Sequence, residues 1–303
     1  AAAAAWADWR VLASEPMAAP ASRRAPPEDI SGGRWRQRLR AAAPPPVWGT
    51  HERLKYLADG GSSFVKFAGL GPYGRATLER AVRLAASGWG PKLAAGASAE
   101  IGEGWIRYRR VRGARPRFGP GWCEFAGRYL AWVATEFRLA PAQQPSAELA
   151  AMAQANVAEM LGEALHWQAP AAAAVALDGR MLPQEWAQSS SGWVKFDATD
   201  HADDPFFPGP ADIAWDLAAI GVEFGQHRGA AVVAEYRRSS GDCGSALRSR
   251  LAWHGLAYAA FRCGYCRLAA EQAGAAEAEG FRRQAARYRT IVGRLWRAGC
   301  PRR

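Results

Sequence analysis

The stretch Trp193-Val-Lys-Phe-Asp197-Ala-Thr-Asp200-His201-Ala-Asp203-Asp204-Pro-Phe-Phe-Pro-Gly-Pro-Ala-Asp212-Ile-Ala-Trp-Asp216-Leu217 decides how the rest of the chain is read. It opens on a strand-like run, Trp193 to Phe196, and closes on the head of an expected helix. Six aspartates fall inside it, in a chain whose formal net charge is +11. Carboxylates this close repel one another unless a cation or buried hydrogen bonds offset the repulsion. A metal-phosphate site would supply the cation. A loop of solvated turn residues, broken by Pro205, Pro208, Gly209 and Pro210, is the plainer alternative.

Upstream, the apolar run Ala171–Leu177 ends at Asp178, as Trp193–Phe196 ends at Asp197. Two strand-ending aspartates joined by a short hairpin can face one cleft, where one orients a hydroxyl and the other holds Mg²⁺. Nearer the amino end, Arg53–Ala58 and Ser63–Ala68 are strand-like, and Asp59-Gly60-Gly61 between them is a hairpin turn. Lys66 sits in the middle of the second run. A lone strand lysine is usually an outward or edge charge. Here an amphipathic helix over 75–87 follows, and Glu79 is its only carboxylate. A strand lysine paired to a helix glutamate and aimed at phosphates is the kinase arrangement.

Taken in order, Lys66, Glu79, Asp178, Asp197 and Asp212-x-x-x-Asp216-Leu-Ala resemble the aminoglycoside phosphotransferase and choline kinase branch of the protein-kinase-like superfamily. The resemblance covers about residues 48–225. It implies a two-lobed α+β fold with a small β-rich lobe carrying one helix and a larger, mainly helical lobe. It also implies ATP and Mg²⁺ as cofactors, and a hydroxyl of a small molecule as acceptor. Lys66 would hold the nucleotide phosphates with Glu79 as its partner. Asp178 would be the catalytic base, Asp197 a metal ligand, and Asp216 a brace for the catalytic loop. The sequence departs from the family around the base. The usual histidine position is Ala176, and the position of the usual asparagine is Pro183, so Glu185 is the candidate second metal ligand. No glycine-rich phosphate loop of the family form precedes Lys66. Asp200 and His201 are secondary site candidates.

Two other functions stay open at this stage. The missing histidine and asparagine fit a catalytically inactive, kinase-like binding protein. Gly69-x-Gly71-x-x-Gly74 lies between a strand and a helix, as in a dinucleotide-dependent oxidoreductase, but no second parallel strand with a terminal acid follows it.

The 303 residues are enough for one large domain or two ordinary ones. Residues 1–46, rich in Ala, Pro and Arg, are expected to be disordered or loosely packed. Residues 47–112 form the expected nucleotide-binding lobe and 113–303 the helical lobe. Helices are expected over about 122–137, 147–165, 211–224, 244–273 and 275–298. The positive charge is mostly arginine, in step with Ala, Gly and Pro, so nucleic acid is not the expected partner. No apolar run is long enough to span a membrane, and no signal-peptide pattern is seen, so a cytoplasmic location is expected. The five cysteines have no disulfide spacing, and Cys263-x-x-Cys266 falls inside a helical pattern. Trp186 and Trp215 are nearest the presumed site and could contact substrate.

Overall fold

Asp59-Gly60-Gly61 reverses the chain, with Asp59 itself in the left-handed region (φ 56°). The two runs it joins become β2 (Lys55–Ala58) and β3 (Ser63–Phe67), paired antiparallel with Tyr56 opposite Val65. Strand β4 (Trp105–Arg109) pairs antiparallel with the far edge of β3, Lys66 standing opposite Ile106. A short strand β1 (Glu28–Asp29) lies on the other edge of β2, giving the order β1-β2-β3-β4. The computed structural model describes residues 26–39, 44–94, 104–114, 116–140, 147–163, 167–168, 170–200, 206–242, 244 and 246–299.

Alternation along β3 sends its side chains to two faces. Val65 and Phe67 join Ala58 and Trp105 in one buried cluster. On the other face, Phe64 and Ala68 pack with Ile106, Tyr108 and Ala81 of helix α1 (Gly71–Ala86). Lys66 shares the α1 face, which places its stem in apolar surroundings. The glycines ahead of α1 serve this packing. A Cβ on Gly74 would stand 1.9 Å from the Gly69 carbonyl oxygen. The antiparallel sheet rules out the dinucleotide-binding fold, which needs parallel strands around a crossover helix. Gly74→Ala is therefore expected to lower stability by about 1–3 kcal/mol, the usual range for overpacking, measured by urea unfolding.

A second small sheet has the order β5-β6-β7. Strand β5 is Gly113–Ala114, β6 Trp186–Ser189 and β7 Gly192–Lys195. The described chain divides into two compact units. One runs up to Pro116 and takes in Trp186–Asp200; the other holds Arg117–Glu185 and His201 onward. The acidic segment through Asp200 thus belongs with the sheets, although the sequence places it with the helices.

The second unit is built from α2 (Pro120–Glu136), α3 (Ala147–Leu161), α4 (Ala214–Phe224), α5 (Gln226–Ser240), α6 (Ala246–Gln272) and α7 (Ala275–Gly299). Helix α6 packs against α7, α4 and α3, and α5 against α2 and α4. Helix α5 is not foreseen by the sequence reading. Its inward positions include Gly229, Val232 and Tyr236, too sparse a stripe to stand out. It is nonetheless close-packed: a Cβ on Gly229 would meet the Gly221 Cα at 2.8 Å. Two further expectations are corrected. Ala171–Leu177 is not a strand; only Val175 bridges, to Arg138 and Ala211. Part of the stretch expected to be loose is built in, because Ile30 is buried and its amide bonds the Lys55 carbonyl.

Candidate functional site

Lys66 is 5% exposed, and its ammonium donates to Asp197 and, at 2.8 Å, to Asp200 Oδ1. Arg53, just ahead of β2, places its Nε 3.2 Å from Asp200 Oδ2 and donates to the Tyr73 hydroxyl. Two cations and two carboxylates thus form one cluster inside the sheet unit. Burial alone would push the Lys66 pKa down; Asp197 and Asp200 outweigh it and hold the ammonium above its ordinary value. Asp197 follows β7 with φ 56°, a left-handed conformation that aspartate tolerates better than most residues. The neighbouring Ala198 carbonyl accepts from Arg80 Nε at 2.7 Å.

That last bond explains why the expected Lys66–Glu79 pair does not form. Helix α1 turns Thr77, Ala81 and Leu84 inward. Arg80 reaches the Asp197 segment, and Glu79, a residue earlier on a 3.6-residue helix, is exposed. Lys66 finds its partners instead from 131 and 134 residues downstream.

In the helical unit, Asp178 is fully buried and accepts from the Tyr129 hydroxyl of α2 at 2.7 Å. The turn that carries it is held from α4. Asp216, also fully buried, accepts from the Asp178 and Gly179 amides, both at 3.0 Å. The Trp215 indole donates to the Gly179 carbonyl at 3.1 Å. Trp215 and Trp186 are both buried, so neither presents a surface ring to a substrate. Glu185 is held in its own loop: Arg180 Nε donates to one oxygen at 2.5 Å and the Leu182 amide to the other at 3.2 Å. Asp212, at the entry to α4, is bound in two places by Arg250 of α6, at 2.6 and 2.7 Å, with His254 Nε2 at 3.5 Å. Burial would raise the Asp212 pKa, but hydrogen bonds from Arg250 and His254 hold it well below the usual carboxylate range. His201, Asp203 and Asp204 lie outside the described residues.

Among the described residues, no three His, Cys, Asp or Glu side chains converge as a self-sufficient metal site. Mg²⁺ does not need such a cage. It takes one or two carboxylates and completes its shell with water and phosphate oxygens. Asp197 and Asp200 supply hard oxygen donors of that kind beside two cations suited to phosphate, so the donor set fits a Mg²⁺-nucleotide.

No family model matches the sequence, and no curated protein matches it. Among solved structures, a spectinomycin phosphotransferase in complex with ADP and spectinomycin superposes with a TM-score of 0.51 at 12% identity, over 89% of this chain and 93% of that one. The fold is kinase-like. A choline/ethanolamine kinase family protein from Mesorhizobium loti is also similar (TM-score 0.49, 17% identity, 95% of this chain and 99% of that one). So is an aminoglycoside phosphotransferase from Alicyclobacillus acidocaldarius (TM-score 0.49, 12% identity, 81% and 90%).

Arg53, Tyr129 and Arg250 are part of these clusters and carry no sequence signal. Each meets its carboxylate across a long stretch of chain: Arg53 to Asp200, Tyr129 to Asp178, Arg250 to Asp212. Lys195 was also missed. It is fully buried in β7, with its ammonium on the Phe196 carbonyl and 5.6 Å from the Trp186 ring centroid. Only its place in the acidic stretch could have drawn attention to it.

Proposed function

We propose that the protein is an ATP- and Mg²⁺-dependent phosphotransferase acting on a hydroxyl of a small molecule. The observation that supports this most is the cluster of Lys66, Arg53, Asp197 and Asp200 within a kinase-like fold. Its charges cancel, so it is stable without a ligand, and each member has a natural new partner in a metal-nucleotide. Asp197 and Asp200 would hold Mg²⁺. Bound there, Mg²⁺ would neutralise charge on the β- and γ-phosphates. Lys66 and Arg53, released from their carboxylates, would hold the phosphate tail. Asp178 would take the proton of the acceptor hydroxyl as its oxygen bonds the γ-phosphorus and the bridging P–O bond to ADP breaks. Asp216 and Trp215 would keep the turn bearing Asp178 in place, and Tyr129 would orient its carboxylate. The chemistry would rest on positioning and charge neutralisation. Glu185, the other candidate metal ligand, accepts from Arg180 and the Leu182 amide within its own loop. Among the described residues no helix is long and apolar enough to cross a membrane.

That engagement of Glu185, together with Ala176 and Pro183 at the altered positions, favours a second possibility: a kinase-like protein that binds nucleotide without turnover. A thermal-shift series with ATP·Mg²⁺, ADP, GTP and NAD tests the proposal, repeated on Asp197→Ala. Saturating ATP·Mg²⁺ at about 100 times its Kd would add about 2.7 kcal/mol to stability, a rise of several degrees. The expected shift needs both Mg²⁺ and Asp197. No shift with any nucleotide overturns the proposal, and a shift with no phosphorylated product from any alcohol favours the non-catalytic protein.

A further inference from the structure

Asp197 sits at φ 56°, a left-handed conformation that a residue other than glycine keeps only where its surroundings over-determine it. Two cations do so here, by gripping the backbone on either side. The Lys195 ammonium donates to the Phe196 carbonyl at 2.8 Å, and Arg80 Nε donates to the Ala198 carbonyl at 2.7 Å. A third bond fixes the end of β7, where the Lys195 amide donates to the Trp89 carbonyl at 2.9 Å. Trp89 lies just past the end of α1, and Arg80 lies within it. Helix α1 and the turn after it therefore hold the Asp197 segment at both ends.

The grip is made by charged donors, which form stronger hydrogen bonds than neutral ones, and both are drawn out of solvent to make it. Lys195 is fully buried and Arg80 half-buried. What the grip fixes is the aim of one carboxylate. Asp197 meets the Lys66 ammonium that Asp200 also meets. The Asp197 side chain is still 22% exposed, so an ion can reach it from solvent. A return of Asp197 to negative φ would rotate the peptide planes on either side and carry its oxygens away from those of Asp200.

We infer that Arg80 is a positioning residue for the metal: together with Lys195 it fixes the Asp197 backbone so that Asp197 and Asp200 present their oxygens to one divalent cation. Helix α1 thus acts on the site through a bond to a carbonyl, where the sequence leads one to expect a Lys66–Glu79 ion pair. This rests on the phosphotransferase function proposed above. Residues that orient a metal ligand without touching the ion typically set metal affinity by about 10–100-fold.

Two measurements on the full chain test it. Mn²⁺ binding without nucleotide is followed by electron paramagnetic resonance, and the Mg²⁺ concentration at which ATP raises the melting temperature is titrated. Arg80→Met is expected to weaken Mn²⁺ by about tenfold or more and to raise the Mg²⁺ requirement in step. Arg80→Lys keeps a charged donor and should recover part of the loss. Arg83→Met removes the same charge from an exposed position of the same helix and should change neither quantity. Urea unfolding is run on every variant; if Arg80→Met does not fold, Arg80→Gln, neutral and shorter than arginine, carries the comparison. Mn²⁺ weakened by the loss of Arg80, without any response to ATP, upholds the positioning role and overturns the phosphotransferase function. Unchanged metal dependence in Arg80→Met, an equal loss in Arg83→Met, or a wild type that binds neither Mn²⁺ nor ATP·Mg²⁺ overturns the inference.

Discussion

Asp178→Asn is expected to lower phosphoryl transfer by about 10²–10⁴-fold, the usual worth of a positioned general base, while ATP·Mg²⁺ binding stays unchanged. The substitution preserves shape. The Asn oxygen can still accept from Tyr129, and the backbone amides at 178 and 179 keep their bonds to Asp216. What it removes is the proton acceptor of the proposed reaction. Single-turnover kinetics beside nucleotide titrations would check this. A parallel fall in both quantities would make Asp178 a structural residue of the turn, and undiminished turnover would remove it from the chemistry. Asp216→Asn supplies the contrast. It leaves one buried and one partly buried amide facing a group with half the acceptors, so it should lower stability by about 1–3 kcal/mol as well as turnover.

Arg250→Met should be the most destabilising single change, by about 3–5 kcal/mol at pH 7, because it strands the Asp212 carboxylate in the helical core. Asp212 is 1% exposed and takes both of its short guanidinium contacts from Arg250. The pH dependence carries a sign. With the folded-state pKa of Asp212 depressed, its contribution is fully present above the unfolded value of about 3.9 and is lost as pH falls below that. Without Arg250, burial dominates and the folded-state pKa rises. The variant then regains stability as falling pH protonates Asp212. The gap between wild type and variant, read from urea unfolding, should therefore narrow from pH 7 to pH 4. A gap that is constant with pH would mean that Arg250 acts through packing alone.

The elements carried by local chemistry were legible. Asp59-Gly60-Gly61 between two alternating runs specifies the β2–β3 hairpin, and long apolar stripes specify α2, α6 and α7. Elements held by close backbone approach were not. Helix α5 packs through Gly229, whose contribution is a missing side chain. The run Ala171–Leu177 reads as a strand on apolarity, yet it has no partner strand and bridges at Val175 only.

By itself, the sequence determined which charged residues this protein concentrates and in what order: Lys66, Asp178, Asp197, Asp200, Asp212 and Asp216. Composition and turn chemistry are local, so they survive without a fold. Only the tertiary structure decided who meets whom. Lys66 is answered by Asp197 and Asp200 rather than Glu79, because a one-residue step around α1 turns Glu79 to solvent and Arg80 inward. Glu185 is taken up by Arg180, and Asp216 by the two amides of the Asp178 turn. Charge pairing depends on distances of a few ångströms between residues far apart in the chain. Those distances are set by helix rotation and strand register, which no spacing in the sequence records.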